Sequence, residues 1–130
     1  NLKNIKFYNY FDYRQFPIVL SSADVFVAVL EKMAGIFSVP SKVLSYYCVG
    51  RPVLLSVPKE NLASRIVQMS KSGFTVDAGD ISGFFACANR LRRDEKIRKT
   101  MGKNARRYAE SMFDINQKCV PFIQRFSLPS

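Results

Sequence analysis

The chain has 130 residues, 48% of them apolar and 23% charged, which suits one domain with a real core. It holds no histidine, so imidazole bases and histidine metal sites are excluded. The formal charge is +10, and no run approaches the roughly 20 apolar residues of a membrane span.

Taken in order, NIKFYNY (Asn4 to Tyr10) is β-branched and aromatic and predicts a strand. Tyr13 to Ser22 has helical periodicity at Phe16, Val19 and Leu20, with Pro17 in an early turn. DVFVAVL (Asp24 to Leu30) is a near-continuous apolar run, as in a strand covered on both faces. Glu31 to Pro40 has no clear period and reads as a loop. Ser41 to Val49 predicts a short helix, with Ser41 as N-cap and Gly50 at its C-terminal end. PVLLSV (Pro52 to Val57) is a second buried strand. Glu60 to Ser72 predicts a helix that turns Leu62, Ile66 and Met69 inward, and FTV after Gly73 is a short strand. Asp77 to Asp80 is a turn, where both aspartates suit turn and cap positions. Ile81 to Arg93 predicts a helix with Phe84, Phe85, Ala88 and Leu91 inward. Asp94-Glu95 opens another helix, its carboxylates at the positive dipole end. Gly102 is expected to break it, leaving two closing helices over Lys103 to Phe113 and Ile115 to Phe126 with a kink at Pro121. Alternation of this kind implies an α/β fold: a Rossmann-like parallel sheet with helices on both faces, then C-terminal helices.

The charge is uneven. From Cys87 onward there are eleven Lys/Arg against four acids; before it, nine against six. The densest run, Arg90 to Arg107, is either a solvated helix face or a patch for phosphate, nucleic acid or anionic lipid. Tyr108 and Phe113 lie at helical spacing on the core side, which argues against base stacking. Cys48, Cys87 and Cys119 are far apart and odd in number, as in a reduced cytosolic chain.

Ligands of open parallel sheets bind off the carboxyl ends of the strands. Three segments are expected to meet there: Asn9 to Asp12, Glu31 to Lys42, and Ser56 to Asn61. The middle one has the most specific chemistry. A helix N-terminus presents unpartnered N–H groups and roughly half a positive charge, which suits a phosphate. Lys42 adds a full charge, and Ser38 and Ser41 add hydroxyls; otherwise Ser41 caps its helix and Lys42 is solvated. Ser45 lies on the same face as Lys42. Glu31 and Glu60 each begin a loop or helix at the expected edge. No complete P-loop or dinucleotide fingerprint is present, and no D-x-D suggests a metal-bound diphosphate.

Read together, these segments resemble the C-terminal half of a GT-B glycosyltransferase of the retaining family 4 type. NIKFYNY with YRQFPIVLSSADVFVAVL resembles that family's strand, short helix and Ala-Asp-Val-Phe-Val strand. SVPSKVLSYYCVGRPVLLSV resembles its donor-site loop, helix and Gly-x-Pro-Val strand. GFTVDAGDISGF and RKTMGKNARRYAESMF resemble the closing strand, the Gly-Asp turn and the C-terminal helices. The likeness spans nearly the whole chain, and VPSK, GRPVL and PKENLA are most similar to the bacterial surface-polysaccharide branch.

The resemblance implies a nucleotide-diphosphate sugar as substrate, with no cofactor and no metal. It implies diphosphate contacts at Ser38, Val39, Ser41 and Lys42 and a nucleobase near Tyr8, Asn9 and Tyr10. Ribose or sugar contacts would fall to Ser45, Glu31, Glu60 and Asn61. Many relatives carry a pair of glutamates whose positions fall here at Phe37 and Ser45; serine gives a single hydrogen bond in place of a bidentate grip. The segment is expected to lack its first strand-helix units and the partner N-terminal GT-B domain, and to be inactive alone. Its expected place is the cytoplasm, with an anionic membrane surface as one option and no nucleic-acid partner. Two other readings compete: a basic module for RNA or anionic membrane, and a GT-B-fold nucleotide-sugar epimerase.

Overall fold

The computed structural model describes residues 3–31 and 41–114. Three strands, β1 (Phe26–Val29), β2 (Val53–Ser56) and β3 (Gly73–Val76), form one parallel sheet in the order β1-β2-β3. Phe26 pairs with Val53, and Val53 with Gly73, so the strands start level. Five helices accompany them: α1 (Phe16–Ser21), α2 (Ser41–Val49), α3 (Leu62–Ser70), α4 (Ile81–Arg93) and α5 (Glu95–Met112). The chain is therefore α/β, with a Rossmann-like parallel sheet flanked by helices and a helical C-terminal part.

β2 is central, and all four of its residues are buried. Alternate side chains take opposite faces. Val53, Leu55 and Val57 enter a core with Val43 and Tyr47 of α2, Ala63 and Val67 of α3, and Ala105 and Ala109 of α5. Leu54 takes the other face, which α4 covers. Phe26 stacks on Tyr46 with ring centroids 4.0 Å apart.

A buried polar cluster sits inside this core. The Tyr47 hydroxyl lies 3.0 Å from Ser70 Oγ and also bonds to Ser72 Oγ. Ser70 Oγ in turn donates to the Ile66 carbonyl at 2.7 Å. Every hydroxyl thus has a partner, which is what makes such a cluster tolerable in an apolar setting. Burial raises the Tyr47 phenol above its ordinary pKa, opposed by the Ser70 and Ser72 hydrogen bonds.

The amino edge of the sheet is where helices α1 to α4 end, and side chains answer their last carbonyls. Arg51 Nη2 donates to Ser21 O at 3.0 Å, and Arg106 Nη1 to Cys48 O at 2.6 Å. Asn104 Nδ2 donates to Lys71 O at 3.0 Å, and Arg98 Nη1 to Leu91 O at 2.6 Å. Cations there also oppose the negative ends of the helix dipoles. α5 reaches all but the first of these ends because it crosses the α2–β2 turn closely. A Cβ on Gly102 would lie 2.4 Å from Gly50 O. Gly50 itself has φ +71°, a left-handed conformation that glycine adopts without strain.

The structure corrects several expectations. Residues 4–10 form no strand; they are irregular and exposed, with Phe7 94% accessible. A strand needs a neighbour for its backbone groups, and none of the described strands lies beside them. The sheet therefore has three strands among the described residues, where four were expected. Gly102 does not break a helix: α5 runs through it, since packing against Gly50 selects a residue without a side chain. Among the described residues β1 is well covered on one face, while Val27 and Val29 on the other are exposed. On α3, Ile66 packs against the core as expected, beside buried Ala63, Ser64 and Val67, but Leu62 and Met69 face solvent. Asn61 sets that phase by capping the helix one residue ahead of Leu62. On α4, Leu91 is buried, but Phe85 points outward. The expected loop over 32–40 and the helix over 115–126 lie outside the described residues.

Two outcomes follow. Gly102→Ala forces backbone apart at the α5 crossing and should cost about 1–3 kcal/mol or more, measured by urea unfolding. Tyr47→Phe should cost about 1 kcal/mol at neutral pH. Because the phenol pKa is raised on folding, its contribution is complete below the unfolded value near 10 and is lost as pH rises through the folded value. Wild-type stability should therefore fall above about pH 10 more steeply than that of Tyr47→Phe, and equal slopes would refute the assignment.

Candidate functional site

In a parallel sheet the helix after each strand begins at the carboxyl edge. Leu30 N–H donates to Ser56 O at 2.9 Å and Val57 N–H to Val76 O at 3.1 Å, so the three strand ends are level. Off this edge come Glu31, the Pro58–Asn61 turn leading to α3, and the Asp77–Asp80 turn leading to α4. α2 follows β1 and starts at the same edge.

α2 is anchored by Val43 and Tyr47, each at most 2% exposed, which holds its first turn in place. Ser41 is the first helical residue, exposed, one position inside the cap role expected for it. Lys42 is exposed and forms no ion pair among the described residues. Ser45, one turn on, is half-buried. Ser38 and Val39 lie outside the described residues.

The second segment divides its residues. Glu60 is exposed in the turn. Asn61 is 1% exposed, and its Oδ1 accepts from Ala63 N–H at 2.8 Å. That oxygen caps α3. Glu31 is exposed at the end of β1. Tyr8, Asn9 and Tyr10 lie in the exposed run before α1, where the Tyr8 ring faces Phe11 at 5.7 Å. No hydrogen bond, ion pair or ring contact among the described residues joins them to the carboxyl edge.

Sequence reasoning did not find a small hollow of about 250 Å³ at this edge, lined by Val29, Ser56, Gly79, Asp80, Ile81 and Phe84. Asp80 forms its rim and caps α4, accepting from Gly83 N–H at 2.9 Å and from the Ser82 hydroxyl at 3.0 Å. The Gly83 N–H, then the Ser82 hydroxyl, hold the Asp80 carboxyl below its ordinary pKa. The Gly79-Asp80 turn was the available signal, but only the fold brings Val29 and Ser56 to it. Among the described residues, no group of histidines, cysteines and carboxylates is arranged to hold a metal ion. Cys48 and Cys87 are free thiols, and burial raises the Cys87 pKa.

Comparison with known protein families, characterised proteins and solved structures gives no match. Among the described residues no helix is long and apolar enough to cross a membrane.

Asn61→Ala should destabilise the chain by about 1–2 kcal/mol through loss of the α3 cap, read from chemical denaturation. Asn61→Asp, which keeps an acceptor at that position, should recover most of the loss. If alanine and aspartate were equally destabilising, the cap would not be the dominant role of Asn61.

Proposed function

We propose that this chain carries the donor-nucleotide part of a retaining glycosyltransferase that uses a nucleotide-diphosphate sugar. The reading is carried by one observation: an exposed Lys42, without an ion pair among the described residues, in the first turn of an anchored helix at the carboxyl edge of a parallel sheet. Ordered resemblance of the landmarks along the chain supports it. In this reading the N–H groups of the α2 start and the Lys42 ammonium face developing charge on a departing diphosphate. Exposed Glu31 and Glu60 stand at the same edge, within the region a sugar would occupy.

In the whole enzyme the bond between the anomeric carbon and the diphosphate oxygen breaks. The acceptor hydroxyl oxygen then bonds to that carbon on the same face. The leaving phosphate oxygen takes the acceptor's proton, so no histidine base is required of these residues. Acceptor binding and turnover belong to the full-length protein in this reading, and a polysaccharide or lipid-linked acceptor is its partner.

Titration of the isotopically labelled chain with uridine, guanosine and adenosine diphosphates tests the proposal. One of them should bind saturably and shift the amides of residues 41–45. Lys42→Ala should weaken that binding about tenfold, as expected for a charge-assisted contact to phosphate. No binding by any of the three, or binding indifferent to Lys42→Ala, would sink it.

A further inference from the structure

At the opposite end of the sheet lies a larger cleft of about 490 Å³. Its floor is the Gly50–Gly102 crossing, and Arg51, Arg98, Lys99, Lys103 and Arg106 line it. Only two carboxylates face it, Asp24 and Glu95. Glu95 is paired with Lys99 at 2.7 Å and Arg106 with Glu110 at 2.7 Å, which leaves Arg51, Arg98 and Lys103 in excess.

We propose that this amino-edge cleft binds a phosphate ester. Three of its cations are pre-positioned: helix C-terminal carbonyls hold Arg51, Arg98 and Arg106 by one or two N–H groups each. A guanidinium carries five donors, so each keeps N–H groups free for a further acceptor. Fixing the side chain beforehand lowers the entropy cost of gripping a ligand. Lys103 makes no hydrogen bond or ion pair among the described residues, so its ammonium is available.

Other occupants fit less well. A base needs an aromatic platform, and none of the lining residues is aromatic. An apolar ligand would strand these charges away from water. The lining cations of α5, Arg98, Lys99, Lys103 and Arg106, recur at helical spacing along one side, so a compact phosphate or diphosphate meets several at once. The inference does not rest on the donor-site proposal, because that site lies at the other edge of the sheet.

Amide-resolved titration of the 130-residue chain with inorganic pyrophosphate is the test. Residues 50–51 and 102–106 should shift saturably. Lys99→Gln combined with Lys103→Gln should weaken this binding about tenfold or more. Both lysines are exposed on α5, so the variant should keep the wild-type spectrum elsewhere; Lys103→Glu alone is a second variant and should show a clear loss. Two arms separate the sources of the phosphate. Sedimentation with phosphatidylglycerol-containing vesicles but not with pure phosphatidylcholine, reversed by pyrophosphate, identifies a lipid headgroup. Pyrophosphate binding without vesicle binding identifies a free phosphate ester. Absence of shifts at residues 50–51 and 102–106, or shifts insensitive to both lysine variants, overturns the proposal. So does binding only to a long polyanion such as heparin, which would make this face a diffuse electrostatic surface.

Discussion

The fold depends on how the C-terminal ends of its helices are satisfied. A helix ends with carbonyls that have no partner within it, and this chain brings four such ends to one edge of a three-stranded sheet. α5 runs across that edge and supplies Arg98, Asn104 and Arg106 to three of them. It comes close enough only because two glycines meet at the crossing. The positive charge of Arg98 and Arg106 is thereby structural. It answers backbone carbonyls before it answers any ligand.

That arrangement makes the two edges of the sheet chemically unlike. At the amino edge, side chains and carbonyls interlock and the residual cations frame a concave, polar hollow. At the carboxyl edge the helices present their starting turns, and the charged groups Lys42, Glu31 and Glu60 are solvated. The anchoring runs from one edge to the other through α2. Val43 seats its first turn in the core, Tyr47 ties its body to Ser70 and Ser72, and Arg106 holds its last turn. A site at the start of α2 would inherit rigidity from the core.

The elements that were legible in the sequence are those whose signals are local. Asp80 caps the helix that follows it, and the bounds of α4 match the reading from Ile81 to Arg93. α2 likewise ends where Gly50 adopts a left-handed conformation. What was not legible depends on distant partners. The aromatic run Asn4–Tyr10 has strand composition, yet composition cannot supply a neighbouring strand. Gly102 looks like punctuation by propensity, but a helix tolerates it when the packing needs a missing side chain. On α3 the reading held for Ile66 and failed for Leu62 and Met69, because small Ala63 and Ser64 are what fit beneath the helix. For the site, the carboxyl-edge placement of Ser41 and Lys42 followed from topology. The cap role of Asn61 and the hollow beside Asp80 followed only from the folded arrangement.

β1 leaves one further imprint on the behaviour of the chain. Phe26 and Leu30 direct their N–H groups to β2, so Val27 and Val29 direct theirs outward, beside apolar side chains that solvent already reaches. An edge of that kind is a template for another strand. The chain carries no proline or inward-facing charge in β1 to blunt it. A net charge of +10 opposes the close approach of copies. Salt shortens the reach of that repulsion to about 8–10 Å near physiological strength, while leaving the edge itself untouched. Colloidal behaviour and sheet architecture are thus coupled here, with ionic strength deciding which of the two governs the encounter between molecules.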